Sequence, residues 1–182
     1  IDVPPETRIF LGFDGSLARD STALVGCTEE NHIFVLGHWE APPDGRINQA
    51  AVMETVATVF QKYRVIKFMA DPPYWWDQIT EWRKRYGEDR VLDYPTNSGQ
   101  RMAKACANLY AAIGTAKVTH DGHPAMSRHL SNCRIKPTPW GDVIVKETQQ
   151  SDKRIDLAVA AVLAHEARSL YGKRSQRGPM VW

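Results

Sequence analysis

Long apolar runs are missing from this sequence of 182 residues. No stretch approaches the roughly 20 residues needed to cross a bilayer, so no membrane role is expected. The opening residues do not read as a signal peptide, so none is expected. Cysteine is scarce: the 3 residues Cys27, Cys106 and Cys133 are too few and too scattered for a disulfide framework or a Cys-X-X-Cys metal clip, which fits a reducing cytoplasm. A large excess of one charge is also absent. At a net charge of +2, a nucleic-acid partner has to be argued from local clusters rather than from the overall field. What remains is a chain with 43% hydrophobic and 24% charged residues, enough for one domain with a real core. The opening "IDVPPET" lacks a methionine and reads as a linker remnant of a longer protein over residues 1–7, followed by a domain over 8–171 and a basic, flexible tail over 172–182.

The pattern is mixed α/β. Strands are predicted over residues 8–13, 22–27 and 32–39, the last stopped by "EAPPDG", and three in succession suggest an antiparallel meander. Val52, Val56, Val59, Phe60 and Tyr63 recur at helical spacing over 47–63, so that helix lays one face on the sheet. A fourth strand over 65–70 ends at Asp71 and two prolines, because a proline holds its predecessor extended and cannot serve a central ladder. The stretch 74–86 reads as a helix with Trp75, Ile79 and Trp82 in the core and Arg83, Lys84 and Arg85 toward solvent. A short fifth strand lies in "RVLDYPT". Helices are predicted over 98–116 and in "PAMSRHLSNC", a hairpin over 135–147 turning near Trp140 to Asp142, and a final helix in "SDKRIDLAVAAVLAHEARSLYGK".

Three acids stand out. In "RIFLGFDGSLARDSTALVG" Asp14 directly follows a strand-like run. Asp-Gly between apolar residues is a strong hairpin signal, but the polar run after Gly15 delays the next strand, which puts Asp14 at a strand end instead. Asp71 closes the fourth strand in the same way. On the last helix Ser151 is the predicted cap, and Asp152 and Asp156 lie four apart, hence on one face. Asp152 has a bland role available in complementing the helix dipole. Asp156 precedes "LAVAAVLA", whose small residues permit close approach to a sheet. A few aspartates and a phosphate oxygen suffice for hard divalent cations, and two such ions support phosphodiester hydrolysis.

With these acids in this order, "GFDGSLARDSTALVG", "FMADPPYWWDQITEW" and "KRIDLAVAAVLAH" resemble the nuclease domain of the large terminase subunit of tailed bacteriophages, a member of the ribonuclease H-like superfamily. The resemblance runs over residues 8–168. It implies a central mixed sheet of about five strands, three antiparallel and then parallel, flanked by helices, with an auxiliary β-hairpin. It implies an endonuclease that cuts concatemeric viral double-stranded DNA during genome packaging by two-metal-ion hydrolysis, with two Mg²⁺ (or Mn²⁺) held by Asp14, Asp71 and Asp156, and Asp152 as an auxiliary ligand. It also implies an upstream ATPase domain on the same polypeptide, the portal protein and the small terminase subunit as partners, and the host cytoplasm as the place of action. No Gly-x-x-x-x-Gly-Lys-Ser/Thr motif occurs, so this chain by itself is not expected to hydrolyse ATP.

DNA contacts are assigned to Lys136 and Lys146 of the hairpin, to Lys153 and to Arg101; the tail with Lys173, Arg174 and Arg177 is a further candidate. "HDGH", His120 to His123, lacks cysteine partners at metal spacing and reads as a surface turn rather than a zinc site. Asp77, Glu81 and Glu88 read as a solvated face. Two other classes fit the same acids or fold: a Holliday-junction resolvase-like nuclease, and a non-catalytic DNA or portal interaction module.

Overall fold

The computed structural model describes residues 2–17, 20–43, 45–148 and 150–173. Strands β1 (Arg8–Asp14), β2 (Ser21–Thr28) and β3 (His32–Glu40) form the predicted antiparallel meander, with Ile9 opposite Thr28 and Asp14 opposite Ala23. Helix α1 (Gln49–Lys62), capped by Asn48 on the Ala51 N–H, returns the chain so that β4 (Arg64–Ala70) lies parallel to β1. Helix α2 (Trp76–Tyr86) then leads to β5 (Val91–Asp93), parallel to β4. After α3 (Gly99–Gly114), a two-residue strand β6 (Thr119–His120) joins the far edge beside β3. Helix α4 (Pro124–Asn132), the hairpin β7 (Arg134–Thr138) and β8 (Gly141–Val145), and helix α5 (Asp156–Tyr171) complete the chain. The main sheet runs β5-β4-β1-β2-β3-β6 and the hairpin stands apart.

Alternation along the strands divides the core between the two faces of this sheet. Ile9, Leu11 and Phe13 point to one side, where Val52, Val56 and Val59 of α1 and Ile79 and Trp82 of α2 cover them. Phe13 takes Trp75 and Trp82 edge-on at 5.1 and 5.2 Å between ring centroids, so both tryptophans are core, as their spacing predicts. The other face, with Phe10 and Met69, is covered by α3, α4 and α5. Helix α5 is buried over its first twelve residues, with alanines at 158, 160, 161, 164 and 167. These small residues let it lie directly on β1: a Cβ on Gly12 would come within 2.0 Å of the Ala160 carbonyl oxygen. Close approach here requires glycine.

Four local expectations are corrected. Helix α2 starts at Trp76, not at 74, because residues 72–75 make a tight turn closed by the Trp75 N–H on the Pro72 carbonyl at 3.0 Å. Arg83 does not face solvent; it is half-buried and ion-paired with Asp93. The sixth strand β6 takes His120 out of the surface turn. The remaining turn is tied down by Asp121, whose carboxylate accepts the Val35 N–H at 2.8 Å. Helix α5 starts at Asp156 and Ser151 does not cap it. Ser151 Oγ accepts the Lys153 N–H at 3.1 Å instead, a local bond that competes with helix, so Asp152 and Asp156 do not share a helix face. Residues 2–7 lie against the end of α1, with Val3 buried and the Glu6 N–H on the Lys62 carbonyl at 2.8 Å. The basic tail from residue 174 onward lies outside the described residues. No helix among the described residues is long and apolar enough to cross a membrane.

Candidate active site

The sheet brings two of the three acids together by register alone. Phe13 and Ala70 are partners in the parallel pair β1·β4, and the Asp71 N–H donates to the Phe13 carbonyl at 3.0 Å. Asp14 and Asp71 therefore leave the carboxyl ends of adjacent strands, the usual place for a site on an open α/β sheet. Asp156 arrives from the first residue of α5, which lies over β1 and β2 on the face opposite α1 and α2. The three line one open cleft of about 720 Å³ with Gly15, Ser16, Asp20, Ala41, Pro42, Pro43, Pro73, Tyr74, Lys146, Gln150, Ser151, Asp152 and Arg154.

Neighbouring groups orient each carboxylate. Thr96, in the loop after β5, donates its N–H to Asp71 Oδ1 at 3.1 Å and its hydroxyl to Asp71 Oδ2 at 2.7 Å. Ser21 at the start of β2 donates its hydroxyl to Asp156 Oδ2 at 2.5 Å. Asp20 forms an ion pair with Lys146, which follows β8, and so ties the hairpin to the sheet. The buried Asp156 is raised to about 7, first by loss of water and then by the charge of Asp20, with the Ser21 bond pulling the other way. Asp14 keeps some exposed surface, yet burial of its carboxyl and the charges of Asp156, Asp71 and Asp20 raise it well above the usual carboxylate range; Lys146 offsets part of this. Asp71 is raised by burial, against the two Thr96 bonds.

Crowded carboxylates that resist ionisation are a site short of positive charge. The cleft lining contains neither histidine nor cysteine, so its donors are all oxygen, suited to hard divalent cations. Among the described residues no three of these side chains are already drawn together as a ligand set. Asp71, Asp156 and Asp20 are engaged instead with Thr96, Ser21 and Lys146. The residues present thus fit divalent ions in donor type and charge.

Asp152 is exposed on the cleft wall, outside α5. Of the four basic residues predicted to contact DNA, only Lys146 lines the cleft. Lys136 is exposed on β7, and Lys153 is exposed and paired with Glu147 at 2.8 Å. Arg101 lies over the Tyr94 ring at 4.3 Å and is not part of the cleft lining. Sequence reading missed Asp20, Ser21, Thr96 and Arg154, the last a cleft cation paired with Glu40 at 2.8 Å. Polar residues in loops and at a strand's first position carry no periodic signal that would have marked them.

Fold and site together define a class: the chain has the ribonuclease H-like fold of phage large terminase nuclease domains. The large terminase of bacteriophage HK97 superposes with a TM-score of 0.70 at 18% identity over 90% of this chain and 40% of that one. The large terminase nuclease of thermophilic phage G20c with bound magnesium superposes with a TM-score of 0.64 at 19% identity, over 91% of this chain and 84% of that one. The same G20c nuclease is also known with bound cobalt and with bound zinc. In sequence, the chain is similar to the Gene 13 protein of Mycobacterium phage D29, 33% identical over 188 residues that cover 96% of this chain and 32% of that protein. The chain thus spans about a third of the length of the curated phage relatives it matches. No protein-family profile matches it.

Proposed function

We propose that this chain is the nuclease domain of a phage large terminase, with residues 8–171 as the catalytic unit. In this reading it is a divalent-metal-dependent endonuclease that cuts concatemeric viral double-stranded DNA during genome packaging. The observation that carries the reading is the convergence of Asp14, Asp71 and Asp156 from three separate elements on one cleft, where burial raises all three and neighbouring carboxylates push Asp14 and Asp156 further in the same direction. Likeness to nucleases known with bound magnesium, cobalt and zinc supports it.

Asp14, Asp71 and Asp156 would hold two Mg²⁺ (or Mn²⁺), with Asp152 placed to add a further oxygen. Bound there, the ions would activate a water and stabilise the leaving oxygen of a phosphodiester. The chain's own groups prepare that site. Thr96 occupies one lone pair on each oxygen of Asp71 and fixes its plane; Ser21 does the same for one oxygen of Asp156. Lys146 and Arg154 put positive charge beside the acids, where a DNA phosphate has to approach a negative cleft. Lys136 and Lys153 extend that charge along the hairpin side, and Arg101 stands off the cleft on α3. The wider setting follows the same reading: an upstream ATPase domain on the polypeptide, the portal protein and the small terminase subunit as partners, and the cytoplasm of an infected bacterium.

The test is a titration of Mg²⁺ and Mn²⁺ against linear duplex and a four-way junction. Wild-type protein should cut the duplex, and Asp14→Asn should abolish cutting with the fold intact. Preferential cutting of the junction would favour a resolvase. Absence of both cutting and metal binding would make this a non-catalytic module.

A further inference from the structure

Beside the acidic cleft the chain spends strain on an exposed ring. Pro72, Pro73, Tyr74 and Trp75 make a four-residue turn, closed by the Trp75 N–H on the Pro72 carbonyl at 3.0 Å, and Tyr74 in its third position has φ 67°. This is the form of a type II turn. It takes proline in the second position, as here, and asks for glycine or asparagine in the third. For a bulky side chain a positive φ is an outlier, and such outliers persist where the surroundings over-determine them.

The surroundings are visible. On one side Asp71 is held to β1 and Thr96. On the other Trp75 is fully buried, edge-on to Phe13, and packed so closely on Gly15 that a Cβ there would come within 2.4 Å of its Nε1. The turn is pinned at both ends, so the third residue must take the left-handed conformation whatever its side chain is. Glycine would do so without strain, yet the position holds tyrosine, a residue that is 69% exposed and gains little from packing. Trp76, 57% exposed, stands two residues on. A single exposed aromatic is ordinary on a protein surface. One placed in a glycine position, on the wall of the acidic cleft and within three residues of a candidate ligand, is not explained by folding.

Resting on the nuclease reading, we infer that Tyr74 is a stacking platform for a nucleobase flanking the scissile phosphate. Ions held by the acids of the same cleft would take the phosphodiester, and the ring offers a flat apolar face to the adjoining base. Base-on-aromatic stacking is tolerant of sequence, which suits an enzyme without a fixed recognition site. It also needs a base free of its stack, so the platform favours substrate that is single-stranded or locally opened at the cut.

The experiment uses the whole chain carrying Asp14→Asn, so that binding is read without cleavage, with a short oligothymidylate as probe. Adding Tyr74→Ala should weaken binding by about tenfold, the scale of one lost stack. Tyr74→Phe should bind like the parent, since stacking needs the ring and not the hydroxyl. Tyr74→Gly should bind as weakly as the alanine variant but melt a few degrees above it, because it alone relieves the turn. Unchanged binding by Tyr74→Ala, a loss with Tyr74→Phe equal to that with alanine, or a glycine variant that melts no higher than the alanine one would each overturn the platform. Failure of the nuclease reading would show separately, as absence of metal-dependent cutting by protein with Asp14 and Tyr74 both intact.

Discussion

The imidazole Nδ1 of His129, buried on α4, accepts the backbone N–H of Leu157 at 3.0 Å. Helix α5 has no side-chain cap of its own: Ile155 stands at its N-cap position without a capping bond. One of its orphan donors is therefore satisfied from another helix. One turn along α4, Asn132 Nδ2 donates to the Arg154 carbonyl at 2.9 Å. Helix α4 thus grips the chain on both sides of Asp156. His129→Leu should cost about 1–3 kcal/mol, the penalty for a buried donor left unmade, and should raise the metal concentration needed for half-maximal cleavage. His129→Gln, which retains an acceptor, should recover part of both. Chemical unfolding and a metal titration of cleavage check this.

A pH dependence follows with opposing signs. His129 and His165 are buried and titrate at about 4 in the fold instead of 6.5, so between those values the unfolded chain binds the extra protons. Their contribution is intact above about 6.5 and is lost as pH falls toward 4. Asp156, raised from 3.8 to about 7, works the other way. Its contribution is greatest below 3.8 and is lost as pH rises through 7. Without metal, Asp156→Asn should raise the melting temperature at pH 8 by removing that charge, and the gain should shrink steadily toward pH 5. A gain that grows on acidification would contradict the assignment.

Thr96→Val should leave the fold nearly unchanged while freeing Asp71 Oδ2 of its hydroxyl donor. The expected result is weaker metal binding at Asp71, read as a higher Mg²⁺ requirement with similar cleavage at saturation. Removing a group that hydrogen-bonds a metal ligand costs about 10–100-fold in metal affinity.

Gly12→Ala probes the close approach of α5 to β1. Its Cβ would meet the Ala160 carbonyl oxygen at 2.0 Å and the Ala164 nitrogen at 2.5 Å, both backbone atoms of α5. Helix and sheet must part to admit it, at a cost of about 1–3 kcal/mol or more. Because α5 carries Asp156, cleavage should fall along with the unfolding midpoint.

Duplex binding by the Asp14→Asn protein should depend little on sequence and fall steeply with salt, since phosphate contacts release counterions and carry no base information. Affinities for unrelated duplexes across a salt series measure both. A strong preference for one short sequence would count against the nuclease reading.

Periodicity and punctuation in the sequence determined the meander, the α1 face, the strand β4 ended by Asp71 and its prolines, and the small-residue face of α5, because each depends on neighbours within a few residues. The three acids were legible for the same reason: each follows or opens a strongly patterned apolar run. Tertiary structure decided the rest. Ser21 and Asp156 are 135 residues apart and meet through a hydrogen bond that neither flank announces. Asp20 and Lys146, and Asp71 and Thr96, are joined in the same way by the folded chain. The start of α5 was misplaced because Ser151 looks like a cap locally, whereas the helix begins where His129 supplies an acceptor. Strand β6 is two residues long and exists through its pairing with β3, so no period can reveal it. Local propensity sets what a segment can become. Whether a carboxylate meets water, a lysine or another carboxylate is set by which distant segment packs against it, and that contact shifts its proton affinity.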